Sequence, residues 1–523
     1  MAHSLRDATV VGTGPSSDTE LKALDEDDPG AALRAETTAL QRHQARNATS
    51  RWIVLQRMGL LACAGALLLW AAVWNGHPLL FSDSSSYIRM AAEHYQAFAR
   101  PIFYSIFILP AHLGPDLWPV AVVQAFITAH LLMFVTRAAL GALNPVGFLV
   151  LVGGLALLTG LPFLVGQIMP DLFAAIALLG LYLLGWVPEA LRRSERLYVL
   201  ILVAGAIAVH LSHIPLAMSI VLLASVWHVL LEGVRRAIAA VAIMAIPLAM
   251  AIAAHLMVNL VSSGTVGLSP QSTVFLLARG IGDGPVRAYL REACPRANYA
   301  LCPFVDELPT DSDIFLWGER NVRTPSVFHQ AGGAALAEEA GHIVYASVRR
   351  DLLGHLSAFF RNGMAQFAQF QTGDGVQPMH GLTGPVDMHW VSRALERHFP
   401  ESYPAYLASR QINGRLNLSL LNAVHVPAGW ISMILAGAMA LVHCMEDRRS
   451  LVALFVVIAA AALVNAIITG GLSAVHDRYQ ARIVWLFTLY VFLAGTALLN
   501  RAGIAHDPGR VRPHHGRAQD ASK

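Results

Sequence analysis

With 523 residues, of which 55% are hydrophobic and only 14% charged, the chain is too apolar for a soluble or disordered protein. It reads as an all-α polytopic membrane protein. A formal net charge of +3, from 37 basic and 34 acidic residues, gives no sign of a nucleic-acid partner and leaves membrane lipids as the expected surroundings.

The first fifty residues are polar and acidic around Asp25-Glu26-Asp27-Asp28, with a helix expected near 31–44. No short apolar core follows the start, so no cleavable signal peptide is expected and 1–50 reads as a disordered cytoplasmic tail. Apolar runs near the length that crosses ~30 Å of hydrocarbon then recur, giving about ten spans. They fall at 52–74, 117–138, 146–166, 171–188, 197–212, 214–231, 237–260, 427–444, 450–470 and 481–500. This divides the chain into an N-terminal membrane core (51–260) with a first outer loop (75–116), an outer domain (261–426), C-terminal spans (427–500) and a basic tail (501–523). With both termini inside, Arg192-Arg193, Arg196, Arg235-Arg236, Arg448-Arg449 and Arg501, Arg510, Arg512 and Arg517 all fall on the cytoplasmic side, as the positive-inside rule expects. The location that follows is a bacterial inner membrane, with 261–426 periplasmic.

The outer domain reads as mainly helical, because 334–349 and 352–370 carry apolar residues at three- and four-residue spacing. It holds two of the four cysteines. Cys294 and Cys302 lie eight apart, and an oxidising compartment would join them, stabilising the domain by roughly 2–3 kcal/mol in the chain-entropy model. Cys63 and Cys444 lie in or at the ends of spans, where a thiol acts as a small buried hydrophobe.

Polar residues collect on the outer face. Asp83, in Ser82-Asp83-Ser84-Ser85-Ser86-Tyr87 just after the first span, reads either as a helix N-cap or as a general base near the bilayer. Tyr87 follows one turn on. Arg100-Pro101-Ile102-Phe103-Tyr104 reads as an interfacial anchor or as a cationic contact for a lipid phosphate, with Tyr104 at headgroup level. Asp171, after Pro170, reads as a helix cap. His210 and His213, three apart, share one side of a turn and read as interfacial histidines or as ligands of metal or phosphate. The last outer loop, His476-Asp477-Arg478-Tyr479-Gln480-Ala481-Arg482, carries two arginines on the side where basic residues are rare. Four apart, Arg478 and Arg482 share a helical face and read as a phosphate clamp, or Arg478 simply pairs with Asp477.

These motifs resemble the GT-C class of polytopic membrane glycosyltransferases. In that class an acid in the first outer loop is followed by a Tyr and an Arg-Pro-Pro-Leu-Tyr-like stretch, and an Arg-Tyr pair enters a late span. Asp83, Tyr87, Arg100-Pro101-Ile102-Phe103-Tyr104 and Arg478-Tyr479 stand in those places. The resemblance covers 52–260 and 427–500 and leaves 261–426 unassigned. It implies transfer of a sugar from a polyprenyl-phosphate donor to a cell-envelope acceptor at the periplasmic face. Asp83 would be the catalytic base, and Arg478 with Arg100 would neutralise the leaving phosphate. Tyr87, Tyr104, Asp171, His210, His213, His476, Tyr479 and Arg482 complete the candidate substrate-binding set. Asp83 has no acidic neighbour, so a metal-binding Asp-x-Asp pattern is missing and no metal ligand is named; a divalent metal is left open. Neither a Walker loop nor a dinucleotide fingerprint is present, so no soluble cofactor is expected. Two other functions compete: a transporter or flippase for a lipid-linked or envelope substrate, and an envelope-assembly partner protein.

Overall fold

A computed structural model describes residues 54–97, 100–269, 272–318, 325–376 and 390–505. The expected helix at 31–44 and the tail beyond 505 lie outside the described residues. The chain divides into two units, Met1–Gly59 and Leu60–Lys523. Of the first, the described residues 54–59 are helical; the rest of the description concerns the second.

Among the described residues every named element is a helix, and the sole β-type pairing noted is an isolated parallel bridge between Leu79 and Gln167. Six of the described helices are long and apolar enough to cross a membrane: Trp118–Leu140, His213–Leu231, Val234–Ser263, Leu418–Met445, Arg449–Leu472 and Asp477–Arg501. Three of the other runs expected as spans form shorter apolar helices, and the fourth, 197–212, lies in the 16-residue helix Arg193–Ala208. The first is interrupted at Leu69, between Val54–Leu68 and Trp70–Asn75. The run at 146–166 breaks at Thr159-Gly160, where Thr159 turns extended (ψ 163°) and splits it into Pro145–Leu158 and Leu161–Gly166. Leu172–Gly185 is buried along its whole length, which makes it the central helix of the bundle.

Two boundaries move outward. The helix placed at 427 begins at Leu418, because Pro427 is accommodated inside it and Asn417 caps it by accepting from the Leu420 amide at 3.3 Å. The last helix begins at Asp477 instead of 481, so Arg478 and Arg482 belong to its first turns and not to a loop.

The loop at 75–116 folds into short helices at Ser84–Glu93 and Phe103–Ile108. The Leu79 amide donates to Gly166 O and the Ile168 amide donates to Leu79 O, each at 2.9 Å, fixing that loop beside the Leu161–Gly166 turn. Ser84 Oγ donates to Ile168 O at 2.8 Å. Gln411 holds the same strand from the other side, accepting from the Leu80 amide and donating to Leu80 O. These bonds bring Asp83 and Asp171 to one place.

The segment between Ser263 and Leu418 has an apolar core of its own, built on Val274, Leu277, Ile281, Leu290, Phe315 and Ile343. Its helices Leu336–Arg350 and Leu352–Ala368 lie where the periodicity predicts them. Cys294 and Cys302 form a disulfide, with Cα atoms 5.3 Å apart. Cys63 and Cys444 are exposed on their helices and not buried as expected.

Candidate functional site

Asp83 precedes the helix Ser84–Glu93 at the N-cap position, yet its side chain makes no capping hydrogen bond. The carboxylate instead meets two guanidinium groups. Arg100 pairs with Oδ1, and Arg478 Nη1 lies 3.7 Å from Oδ2. Ser82 Oγ donates to Oδ1 at 3.3 Å. All three charged side chains are about four-fifths buried, at 17–18% exposure. Burial is the largest influence on Arg100 and opposes its charge, but the Asp83 carboxylate and the Tyr87 hydroxyl together outweigh it and hold the guanidinium above its usual pKa.

Arg478 is fixed on both faces. Its guanidinium lies 4.3 Å from the Phe81 ring centre and 4.7 Å from that of Tyr479, and Nη2 donates to the Tyr479 hydroxyl at 3.0 Å. Its backbone amide donates to Asp374 Oδ2 at 3.2 Å. Asp374 belongs to the loop 371–376, which closes over Phe81: a Cβ at Gly375 would lie 1.8 Å from that ring. The neighbouring Asp477 is turned away from Arg478 and accepts from the Gln371 amide at 2.6 Å. The Nε atoms of Arg100 and Arg478 are buried without a hydrogen-bond partner among the described residues. Both cations therefore keep a donor unspent beside a single carboxylate.

A second, drier cluster lies one helical turn below. Arg482 is fully buried, with Nη1 3.5 Å from Asp171 Oδ1. It donates to Asn465 Oδ1 from Nη2 at 2.7 Å and from Nε at 3.2 Å, and to Ser212 Oγ at 3.1 Å. Asp171, like Asp83, makes no capping bond. The shared helical face of Arg478 and Arg482 thus serves two partners: Arg478 reaches Asp83, and Arg482 is consumed by Asp171 and Asn465. Tyr479 bridges them, with Arg482 5.6 Å from its ring centre. His210 Nδ1 accepts from the Ser212 amide at 3.2 Å, so the Ser212 hydroxyl donates to the same nitrogen at 2.8 Å. His213 donates from Nδ1 to Ala206 O at 2.7 Å and stands 5.2 Å, ring to ring, from His210.

Tyr87 and Tyr104 pack edge to face at 5.0 Å, both buried, and Tyr104 donates to Gln124 Oε1 at 2.8 Å. Burial raises the pKa of the Tyr87 hydroxyl, so it is held neutral as a donor. His476 lies to one side, its Nε2 2.8 Å from Asp313 Oδ2 and its Nδ1 3.8 Å from Asp374 Oδ2. It reaches the Asp83 cluster through Asp374 and through Tyr479, whose ring it meets edge to face at 5.5 Å. Phe81, Asp374, Asn465, Ser212 and Gln124 are the site residues that sequence reasoning missed. Among them only Asp374 has a local signal, since Gly373 and Gly375 on either side of it mark a turn. Among the described residues, no three His, Cys, Asp or Glu side chains are grouped to hold a metal ion.

The arrangement offers an anionic group two cations at the mouth of a helix bundle, with a carboxylate between them. Comparison with protein-family models, curated proteins and solved structures gives no match. Function is therefore argued from this geometry.

Proposed function

We propose that the chain is a multi-pass membrane glycosyltransferase that moves a sugar from a polyprenyl-phosphate donor to a cell-envelope acceptor at the outer face. The observation that carries the reading is Asp83 held between Arg100 and Arg478, two buried guanidinium groups with unspent donors. In this reading about ten passes cross the inner membrane, with both termini cytoplasmic and 264–417 periplasmic. The GT-C resemblance of the motifs supplies the chemistry. The donor phosphate competes with Asp83 for Arg100 and Arg478, because a phosphate offers these forks more charge and more acceptor oxygens than one carboxylate. The bond between the anomeric carbon and the phosphate oxygen breaks, and its electron pair leaves with the phosphate, whose charge the two arginines stabilise. The acceptor hydroxyl bonds to the anomeric carbon and passes its proton to the released Asp83 carboxylate. Tyr479 and Phe81 keep the Arg478 plane oriented, and the Arg482–Asp171 pair anchors the helix that carries both.

The test is direct binding of polyprenyl phosphate to the purified protein. Arg478→Gln should weaken it about ten- to hundredfold, the equivalent of one charge-assisted hydrogen bond of roughly 1.5–3 kcal/mol. Unchanged binding in both Arg100→Gln and Arg478→Gln would remove the phosphate from this site. Undiminished binding coupled to transbilayer movement of the lipid, without sugar transfer, would favour a flippase.

A further inference from the structure

Leu352–Ala368 has two apolar faces, and only one of them is satisfied by protein. The inner face packs on the membrane-length helix Arg449–Leu472 at very short range. A Cβ at Gly363 would lie 3.0 Å from Ile467 Cα, one at Gly470 would lie 2.5 Å from Asn362 O, and one at Gly471 would meet the Phe359 ring at 2.3 Å. The contact is at the level of the last turns of that helix, with Ile467 about 7 Å short of its end at 1.5 Å per residue. At its C-terminal end, Phe367 and Phe370 pack at a tilt against Trp430, with ring centres 6.5 and 5.3 Å apart. Trp430 is about 18 Å along the helix Leu418–Met445 from its start. Leu352–Ala368 therefore reaches alongside two helices built to lie in hydrocarbon.

The outer face is bare. Leu353, Leu356, Phe360 and Met364, at spacings of three and four, are 78%, 42%, 55% and 62% exposed. On the helix Leu418–Met445, next to Trp430, Ile431 and Ile434 are 55% and 71% exposed. The stripe carries no acid, and Arg361, whose Nη2 lies 4.0 Å from Asp283 Oδ1, flanks it at 67% exposure. An apolar stripe with a basic flank beside membrane-spanning helices has the pattern of a helix lying in the lipid interface. We infer that Leu352–Ala368 is half-sunk in the bilayer, with Leu353, Leu356, Phe360 and Met364 in the hydrocarbon of the leaflet on the Asp83 side and Arg361 among its phosphates. The inference is independent of sugar transfer. It sets a depth for the site, since this helix runs through Phe370 directly into the loop whose Asp374 holds the Arg478 amide.

The test uses the full chain with Cys63 and Cys444 replaced by Ser, in nanodiscs of phosphatidylethanolamine and phosphatidylglycerol. Spin labels at Leu353→Cys, Phe360→Cys and Met364→Cys are compared with one at the exposed Glu338→Cys of the neighbouring helix. Several-fold higher collision with oxygen and several-fold lower collision with a water-soluble nickel chelate at the three positions are expected. Nickel accessibility equal to that at 338 would overturn the inference. Dipolar broadening between labels would overturn it too, because a second copy of the chain would then cover the face. Bimane at Met364→Cys gives an independent reading: quenching by brominated acyl chains supports immersion, and no quenching contradicts it.

Discussion

Replacing Asp171 by Asn should destabilise the protein far more than the loss of one hydrogen bond. Arg482 is fully buried and its nearest carboxylate oxygen is 3.5 Å away. Two unit charges at that distance attract by about 5 kcal/mol at an effective dielectric constant of 20. Asn465 and Ser212 would remain as neutral acceptors, so part of the guanidinium's demand is still met. The cost of an uncompensated buried charge is then about 3–5 kcal/mol for Asp171→Asn, and the same for Arg482→Gln. The double variant carries no net buried charge, so it should cost clearly less than the two single changes added together. Unfolding of all four proteins in one detergent gives the coupling. A coupling of about 2 kcal/mol or more is expected; additive costs would refute the argument that this pair anchors the last helix.

His77 should make stability depend on pH. It is buried, its Nδ1 donates to Pro78 O at 2.7 Å, its Nε2 accepts from Ser402 Oγ at 2.9 Å, and burial lowers its pKa to about 4. Between pH 6.5 and 4 the unfolded chain binds the proton and the folded chain does not. Stability therefore rises with pH across that window, and falling from 6.5 to 4 removes about 3 kcal/mol; His77→Gln should flatten this slope, which thermal unfolding across the range will measure. At Gly375 (φ +75°) a side chain is both strained and driven into Phe81. Gly375→Val should cost about 2–4 kcal/mol of stability and release the 371–376 loop, while a neutral result in thermal unfolding would show that the loop does not rest on Phe81.

The all-helical class with membrane-length apolar helices and the Cys294–Cys302 disulfide were legible in the sequence, because hydropathy and cysteine spacing are one-dimensional signals. Partners were not. An Asp ahead of a helix looks the same whether it caps the backbone or reaches a distant cation, and Asp171 meets Arg482 across 311 positions. The span expected from 427 starts nine residues earlier, because Pro427 lies inside a 28-residue helix although a proline removes one backbone donor. Asp374 was passed over for the same reason as Asn465: its role comes from what packs beside it.

The central claim concerns Asp83 as base. A strain lacking the gene, complemented by wild type, Asp83→Asn or Asp83→Glu, should be compared by mass spectrometry of its envelope glycans. The account predicts that deletion removes a sugar from one envelope glycan, that wild type restores it and that Asp83→Asn does not. Full restoration by Asp83→Asn would contradict the assignment of the base, and an unchanged glycan profile on deletion would contradict the transferase itself.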